Sequence, residues 1–330
     1  MPVTVTDETL VPEQARQNRR RGFAVSRELG LILLIVAATI VSSILFPESF
    51  PTFENFSAIM RNLAFDGILA VGMSLLLVGG LFDLSIGGMF SMTGVIVGWM
   101  LKTAGLPVPI AILIGLAAAV FGGFLNGFIV AKIRVNALIT TLGTMQIYRG
   151  IAILVGGSGI TFLPNSFTML GQASLLGMQA PVWLLAFLVA VFHYLLTKTR
   201  FFRQYYYIGG NAKAAQLCGI NVPRMQVLAF MIMGLLAGIA GTVFAARLAT
   251  GVSIAGDGAE LRVITAVILG GASLTGGKGT VWGALIGVVF IAMVNNIMLI
   301  AQISTYWQSI VTGTVLVLAV AMDHFFNRGR

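Results

Sequence analysis

The sequence predicts an all-α protein that crosses a membrane about ten times. Three observations carry this. Apolar residues make up 58% of the 330 positions and charged residues only 9%, against roughly 25% charged in soluble domains. Ten apolar stretches fill almost the whole chain between residues 29 and 322. Lysine and arginine gather at alternate ends of those stretches. A spanning helix takes about 20 apolar residues, and the 40 glycines suit helices that approach closely in lipid.

In chain order, residues 1–27 are polar and end in a basic run of Arg16, Arg19, Arg20, Arg21 and Arg27. They read as a disordered cytoplasmic tail. RRRGFAV (19–25) looks like a twin-arginine export signal, but the apolar run after it is long enough to span and no small-residue cleavage site follows, so a first spanning helix is expected. One transmembrane domain, 28–325, follows, with a short cytoplasmic tail at 326–330. Its expected spans are 29–46, 62–80, 84–101, 107–131, 136–155, 181–197, 226–247, 260–275, 280–300 and 304–322. The third and eighth are short and glycine-rich.

Orientation follows from the basic residues. With the N-terminus inside, the inner face holds the five tail arginines with Lys132, Arg134, Lys198, Arg200, Arg203, Lys213, Arg224, Lys278, Arg328 and Arg330, while Arg61 and Lys102 fall outside. Both termini are therefore expected in the cytoplasm of a bacterial inner-membrane protein. The net charge of +9 reflects this orientation rather than a nucleic-acid partner. The uncharged connection 156–180 is expected outside, as a cap rich in glycine and serine. The basic connection 198–225 is expected inside. The glycine pairs of 78–90 and 269–283 share a rhythm that fits either two related re-entrant turns or glycine bias.

The single cysteine, Cys218, excludes an internal disulfide, and His193 and His324 stand alone. No metal site, cofactor or nucleophilic catalytic group is expected. GGASLTGGKGT (270–280) approaches a phosphate-binding loop, but Gly279 follows Lys278 where Ser or Thr is needed. The chain is thus expected to bind no nucleotide; ATP, if used, is bound by another polypeptide.

The inner connection is the most specific segment. Asn211 suits a helix N-cap. Ala212, Lys213, Ala214, Ala215, Gln216 and Leu217 favour helix. Cys218 then leads into Gly219, which suits the left-handed C′ position. Two turns are not stable alone, so the helix must dock. It lies either on the protein's own inner ends or in a cytoplasmic partner, and spacing does not choose between them.

RQYYYIGGNAKAAQLCGINVPR (203–224) resembles the cytoplasmic loop of permease subunits of bacterial ABC importers for ribose and other simple sugars. Arg203, Ile208, Gly209, Asn211, Ala214, Ala215, Gly219 and Ile220 match that family's run. Phe202 replaces its usual Gly and Tyr207 its usual Ala. GGLFDLSIGG (79–88), VNALITTLGTMQIYRGIA (135–152) and ELRVITAVILGGASLTGGKGTVWGALIG (260–287) are similar to three further family segments, in the same order. Leu81 and Asn136 depart from it, standing where Gly and Pro are usual. The resemblance implies a type II-like ABC importer permease in the branched-chain amino acid/ribose permease superfamily. It implies that residues 211–219 are a coupling helix supported by Arg203, Gly209 and Gly210. It also implies a cytoplasmic ATPase, a periplasmic or lipoprotein solute-binding protein, and a second permease copy or close relative. The solute implied is a simple sugar; nucleosides, polyols, amino acids and a furanosyl autoinducer stay open.

Polar residues inside spans need individual reasons. Asp83 either accepts backbone N–H bonds within the glycine-rich break, or caps the third span near Ser85, or lines the pathway. Arg149 either snorkels or serves as a gate or an anchor for the binding protein. Asn126, Gln146, Asn295 and Asn296 either bond between helices or offer weak contacts to an uncharged hydroxylated solute. Asp257, Glu260 and Arg262 form a candidate outer contact for the binding protein, with a solvated loop as the plainer reading for Asp257. No acid is placed deep in a span, which disfavours a proton- or sodium-coupled carrier with acids on discontinuous helices. Asp83 is that alternative's one candidate.

Overall fold

A computed structural model describes residues 13–327. Helix α1 runs Glu13–Leu45, α2 Phe53–Val78, α3 Ile86–Lys102 and α4 Val108–Phe128, the last ending in a π-helical turn, Ile129–Ile133. Then come α5 Ala137–Gly156, α6 Asn165–Gln172, a two-stranded hairpin of β1 Ser174–Leu175 and β2 Met178–Gln179, and α7 Ala180–Lys198. Helices α8 Arg200–Gly210, α9 Ala212–Leu217, α10 Val222–Leu248, α11 Ala259–Leu269, α12 Val281–Ile300 and α13 Thr305–Asn327 complete the chain. It is an all-α polytopic membrane protein: among the described residues seven helices are long and apolar enough to cross a bilayer, and two shorter apolar helices lie within α3 and α13.

Local chemistry sets the helix starts. The Thr52 side chain accepts from Asn55 N–H, Asn136 from Leu138 N–H and Thr280 from Gly283 N–H, which satisfies first-turn donors of α2, α5 and α12. Helix α4 opens after Pro107 with Pro109 in its first turn, where a missing N–H costs nothing.

Several expectations are corrected. The eighth span, expected over 260–275, is helical only for the 11 residues of α11. Eleven residues rise about 16 Å, half of the roughly 30 Å hydrocarbon core. The Gly270–Gly271 pair ends it, and the chain reaches α12 through an irregular segment, 270–280. Where a disordered tail was expected, residues 13–27 continue α1 as helix; residues 1–12 lie outside the described residues. Likewise α13 runs through Asn327, and 328–330 lie outside them. The connection 156–180 carries α6 and the hairpin, and the basic connection carries α8 before the expected short helix.

Two helices form the centre. The Phe65 ring on α2 meets Phe244 on α10 edge-on at 5.1 Å between centroids, and Gly72 faces Met233 and Leu236. Numbers rise along one helix as they fall along the other, so α2 and α10 are antiparallel. Around them the chain is built twice. Helices α3 and α4 pack on α10, as α11 and α12 pack on α2; α3 packs on α5 as α11 does on α13. Most of α2 is buried, whereas α1 touches chiefly α12 and leaves Leu33, Ile44 and Leu45 uncovered. α2 is therefore apolar for packing and α1 for lipid.

Candidate functional site

The short helix α9 is capped at both ends by the residues expected. Asn211 Oδ1 accepts from Ala214 N–H at 3.0 Å. Gly219 has φ +86, a conformation that strains any residue with a Cβ. From there Gly219 N–H reaches Gln216 O and Ile220 N–H reaches Ala215 O, at 3.0 and 3.1 Å, the paired bonds of a Schellman motif. Of α9 only Ala215 faces inward, at 4% exposed. Ala212, Lys213, Ala214, Gln216 and Cys218 are exposed, and the Leu217 side chain stands 89% exposed at the tip. The helix is thus held to the chain by Ala215 and presents its remaining face outward.

Helix α8 ties this knob to the bundle. Its Thr199 cap accepts from Phe202 N–H, and Phe202, where the resembling family has Gly, packs edge-on to Phe192 of α7. Tyr205 OH donates to Met225 O in α10, and Tyr206 OH donates to Gly279 O in segment 270–280, both at 2.9 Å. Burial pushes the Tyr206 hydroxyl above its ordinary pKa, so it stays a donor. Gly209 sits where a Cβ would collide with Val78 O of α2 and Gly277 N. Gly210 has open space, and Arg203 is exposed beside Tyr206 and Tyr207 in a surface groove.

The two glycine-rich segments meet at this junction. Gly277 N–H donates to Val78 O at 2.9 Å. A Cβ on Gly276 would come within 2.8 Å of Gly80 Cα and Gly209 O. They are turns packed against each other.

Deeper in the bundle, Asp83 is 0% exposed. Its Oδ1 accepts from Ser85 N–H at 2.7 Å and Ser85 Oγ–H at 2.6 Å. Asn126 of α4 donates to Ser85 Oγ at 2.8 Å, and Tyr148 of α5 donates to Gly122 O at 3.0 Å. Asp83 and Asn126 thus hold the break between α2 and α3 against α4 and α5, and neither lines open space. Ser85 and Tyr148 complete the cluster; Tyr148 had no signal in the apolar pattern.

Arg149 does not snorkel. Its Nη2 donates to Glu260 Oε1 at 2.9 Å and its Nε lies 3.2 Å from Asp257 Oδ1. Glu260, in the first turn of α11, is 7% exposed; there a negative charge also favours the helix dipole. This removes it from the outer rim expected of it. Asp257 remains exposed. Arg262 turns to Asp66, with Nε and Nη2 on the two carboxylate oxygens at 3.0 and 3.2 Å. Asp66 lies half-way along α2, so the expectation of no acid deep in a span is corrected. The one-letter context LAFDGIL (63–69) was its signal: a single acid within an apolar run. Two arginines and three acids thus connect α5, α11 and α2.

The amides divide. Asn296 Nδ2 donates to Asn55 Oδ1 at 2.8 Å, bonding α12 to α2. Gln146 is exposed on the uncovered side of α5, between Gly143 and Gly150, around which space is open. Asn295 lines a cavity of about 260 Å³ with Asn62, Asp66, Arg262 and Gln308.

A family model described as "Branched-chain amino acid transport system / permease component" matches residues 55–320. The chain belongs to this permease family. The L-arabinose transport system permease protein AraH of Escherichia coli K12 is 36% identical over 301 residues, 91% of each chain. The ribose import permease protein RbsC of Bacillus subtilis is 36% identical over 313 residues, 94% of this chain and 97% of that one. The autoinducer 2 import system permease protein LsrC of Shigella flexneri is 32% identical over 299 residues, 90% of this chain and 87% of that one. The permease match begins inside α2 and ends inside α13, so it takes in both halves of the duplicated bundle.

Proposed function

We propose that this permease is the membrane-spanning subunit of an ATP-driven importer that moves a monosaccharide, or a similar neutral polar solute, into the cytoplasm. The carrying observation is the geometry of α9: capped at both ends, anchored inward by Ala215, with Leu217 89% exposed at its tip. A separate ATPase dimer takes that tip in a groove. Through Tyr206 and Gly209, α8 passes its displacement to the ends of α2 and of segment 270–280 together. A solute-binding protein docks at the opposite end, near α6 and Asp257, and a second permease copy or close relative completes the path. The termini lie on the α9 side, in the cytoplasm, as the basic residues favour. The sugar class rests on the names of relatives 36% identical over nine-tenths of the chain.

Uptake into proteoliposomes, with the cognate ATPase and binding protein, tests this. Uptake of a monosaccharide should require ATP and should fall at least about tenfold in Leu217→Arg, which buries a charge where an apolar contact is needed. Uptake indifferent to Leu217→Arg, or proceeding without the ATPase, would overturn the assignment. An ion-coupled carrier draws on two acids, the fully buried Asp83 and Asp66 half-way along α2. It predicts uptake driven by an ion gradient alone.

A further inference from the structure

The cavity of about 260 Å³ lies within a single chain, walled by α2, α10, α11, α12 and α13. Its floor is aromatic: Phe244 meets Phe65 at 5.1 Å and Phe90 at 5.2 Å. Its walls carry amides and one ion pair, Asp66 with Arg262. Asn295 Oδ1 is buried and has no hydrogen-bond partner. An orphaned buried acceptor costs about 1–3 kcal/mol, which a hydroxyl donor would recover.

We infer that this cavity is a monosaccharide subsite inside each permease chain, distinct from any path formed between two copies. Three features select the ligand class. The two charges in the lining neutralise each other across a two-pronged contact, and Arg247 lies behind the lining, bonded to Asn62 and covering one face of Phe65, so what the cavity itself offers is donors and acceptors for hydroxyls. The three phenyl rings supply an apolar floor for the C–H groups of a sugar ring. The volume lies just below the roughly 300 Å³ at which pockets for drug-sized ligands begin, so it takes one ring and excludes a disaccharide. Asn295 accepts a sugar hydroxyl, and the Asp66 oxygens keep further lone pairs for others. The subsite rests on the importer reading, and the test separates the two.

Ala255, on the cavity wall, is replaced in Ala255→Cys and the protein is assembled with its ATPase and binding protein in proteoliposomes. Uptake of L-arabinose, D-ribose, D-xylose and D-galactose is measured first. A thiol reagent is then applied, and mass spectrometry follows both the new thiol and Cys218, the chain's single native cysteine. The transported sugar should slow labelling of the new thiol at least about fivefold and leave Cys218 unchanged; sucrose should slow neither. Adding Asn295→Leu should raise the half-protecting sugar concentration by about tenfold, the effect of one hydrogen bond. A transported sugar that leaves the labelling rate unchanged, or protection insensitive to Asn295→Leu, overturns the subsite while the importer stands. Uptake of none of the four sugars overturns the importer reading for monosaccharides, and the subsite with it. Where Ala255→Cys does not assemble, Gln308→Cys, also in the lining, carries the same measurements.

Discussion

Arg149 and Glu260 stand 111 positions apart in sequence and 2.9 Å apart in space. The bond fixes the middle of α5 to the first turn of α11, and Asp257 meets the same guanidinium from the preceding loop. The two acids differ in burial, so they differ in worth. Removing one partner of a buried pair costs about 3–5 kcal/mol, whereas an exposed pair contributes about 0–1 kcal/mol. Glu260→Ala should therefore lower the unfolding midpoint in detergent far more than Asp257→Ala does. Equal shifts would show that burial does not set the strength of this contact.

Adjacent glycines in α8 give a sharper contrast. Gly209→Ala drives a methyl into Val78 O and Gly277 N, while Gly210→Ala meets nothing within 4 Å. Overpacking costs about 1–3 kcal/mol. The first variant should lose both stability and permease-stimulated ATP hydrolysis. The second should keep both, measured by thermal unfolding and phosphate release on the assembled complex.

Asp83 separates two transport mechanisms. Asn at this position keeps an oxygen for Ser85 N–H and removes a buried charge. Asp83→Asn should therefore fold and retain uptake within about twofold, whereas Asp83→Leu orphans Ser85 N–H at about 1–3 kcal/mol and should be poorly stable. Loss of uptake in a well-folded Asp83→Asn protein, with thermal stability intact, would favour ion coupling instead.

The caps of α9 predict local dynamics. Asn211→Ala removes a cap worth about 1 kcal/mol from a helix of 6 residues. Gly219→Ala strains the closing turn. In both, amide hydrogen exchange over 212–217 should accelerate, while α2 and α10 stay protected. Unchanged exchange in Asn211→Ala would mean that docking of Ala215 alone holds the helix.

What could be read in the sequence was what short range decides. The start and end of α9 follow from Asn211 and Gly219 because both act within four residues. Nine of the ten apolar stretches became helices of near-span length for the same reason. The bond of Asp83 to Ser85, two residues on, was also within reach. Its support from Asn126 was not, because that pairing closes 43 positions. Asp66 was overlooked because hydropathy averages one acid into its apolar neighbours, and its counter-ion lies 196 positions away. The eighth stretch misled because eleven helical residues and an irregular glycine-rich continuation have similar hydropathy. Helix α8 went unforeseen because its pattern, Tyr205 and Ile208 inward and Tyr207 outward, takes meaning only once the ends of α2 and α10 are in place.

The close approach of α3 to the connection that precedes α11 has a mechanical consequence. Gly87 and Gly256 lie so close that a Cβ on either would strike the other's carbonyl oxygen, and Gly94 and Gly251 continue the contact. Across the same seam Gly256 N–H donates to Ser91 Oγ at 2.8 Å, so backbone is pinned to helix with no side chain between them to yield. The ionic ties at Arg149 and Arg262 reach α5 and α2 from beside this seam, so any displacement of α11 has to carry those helices with it or break the ties.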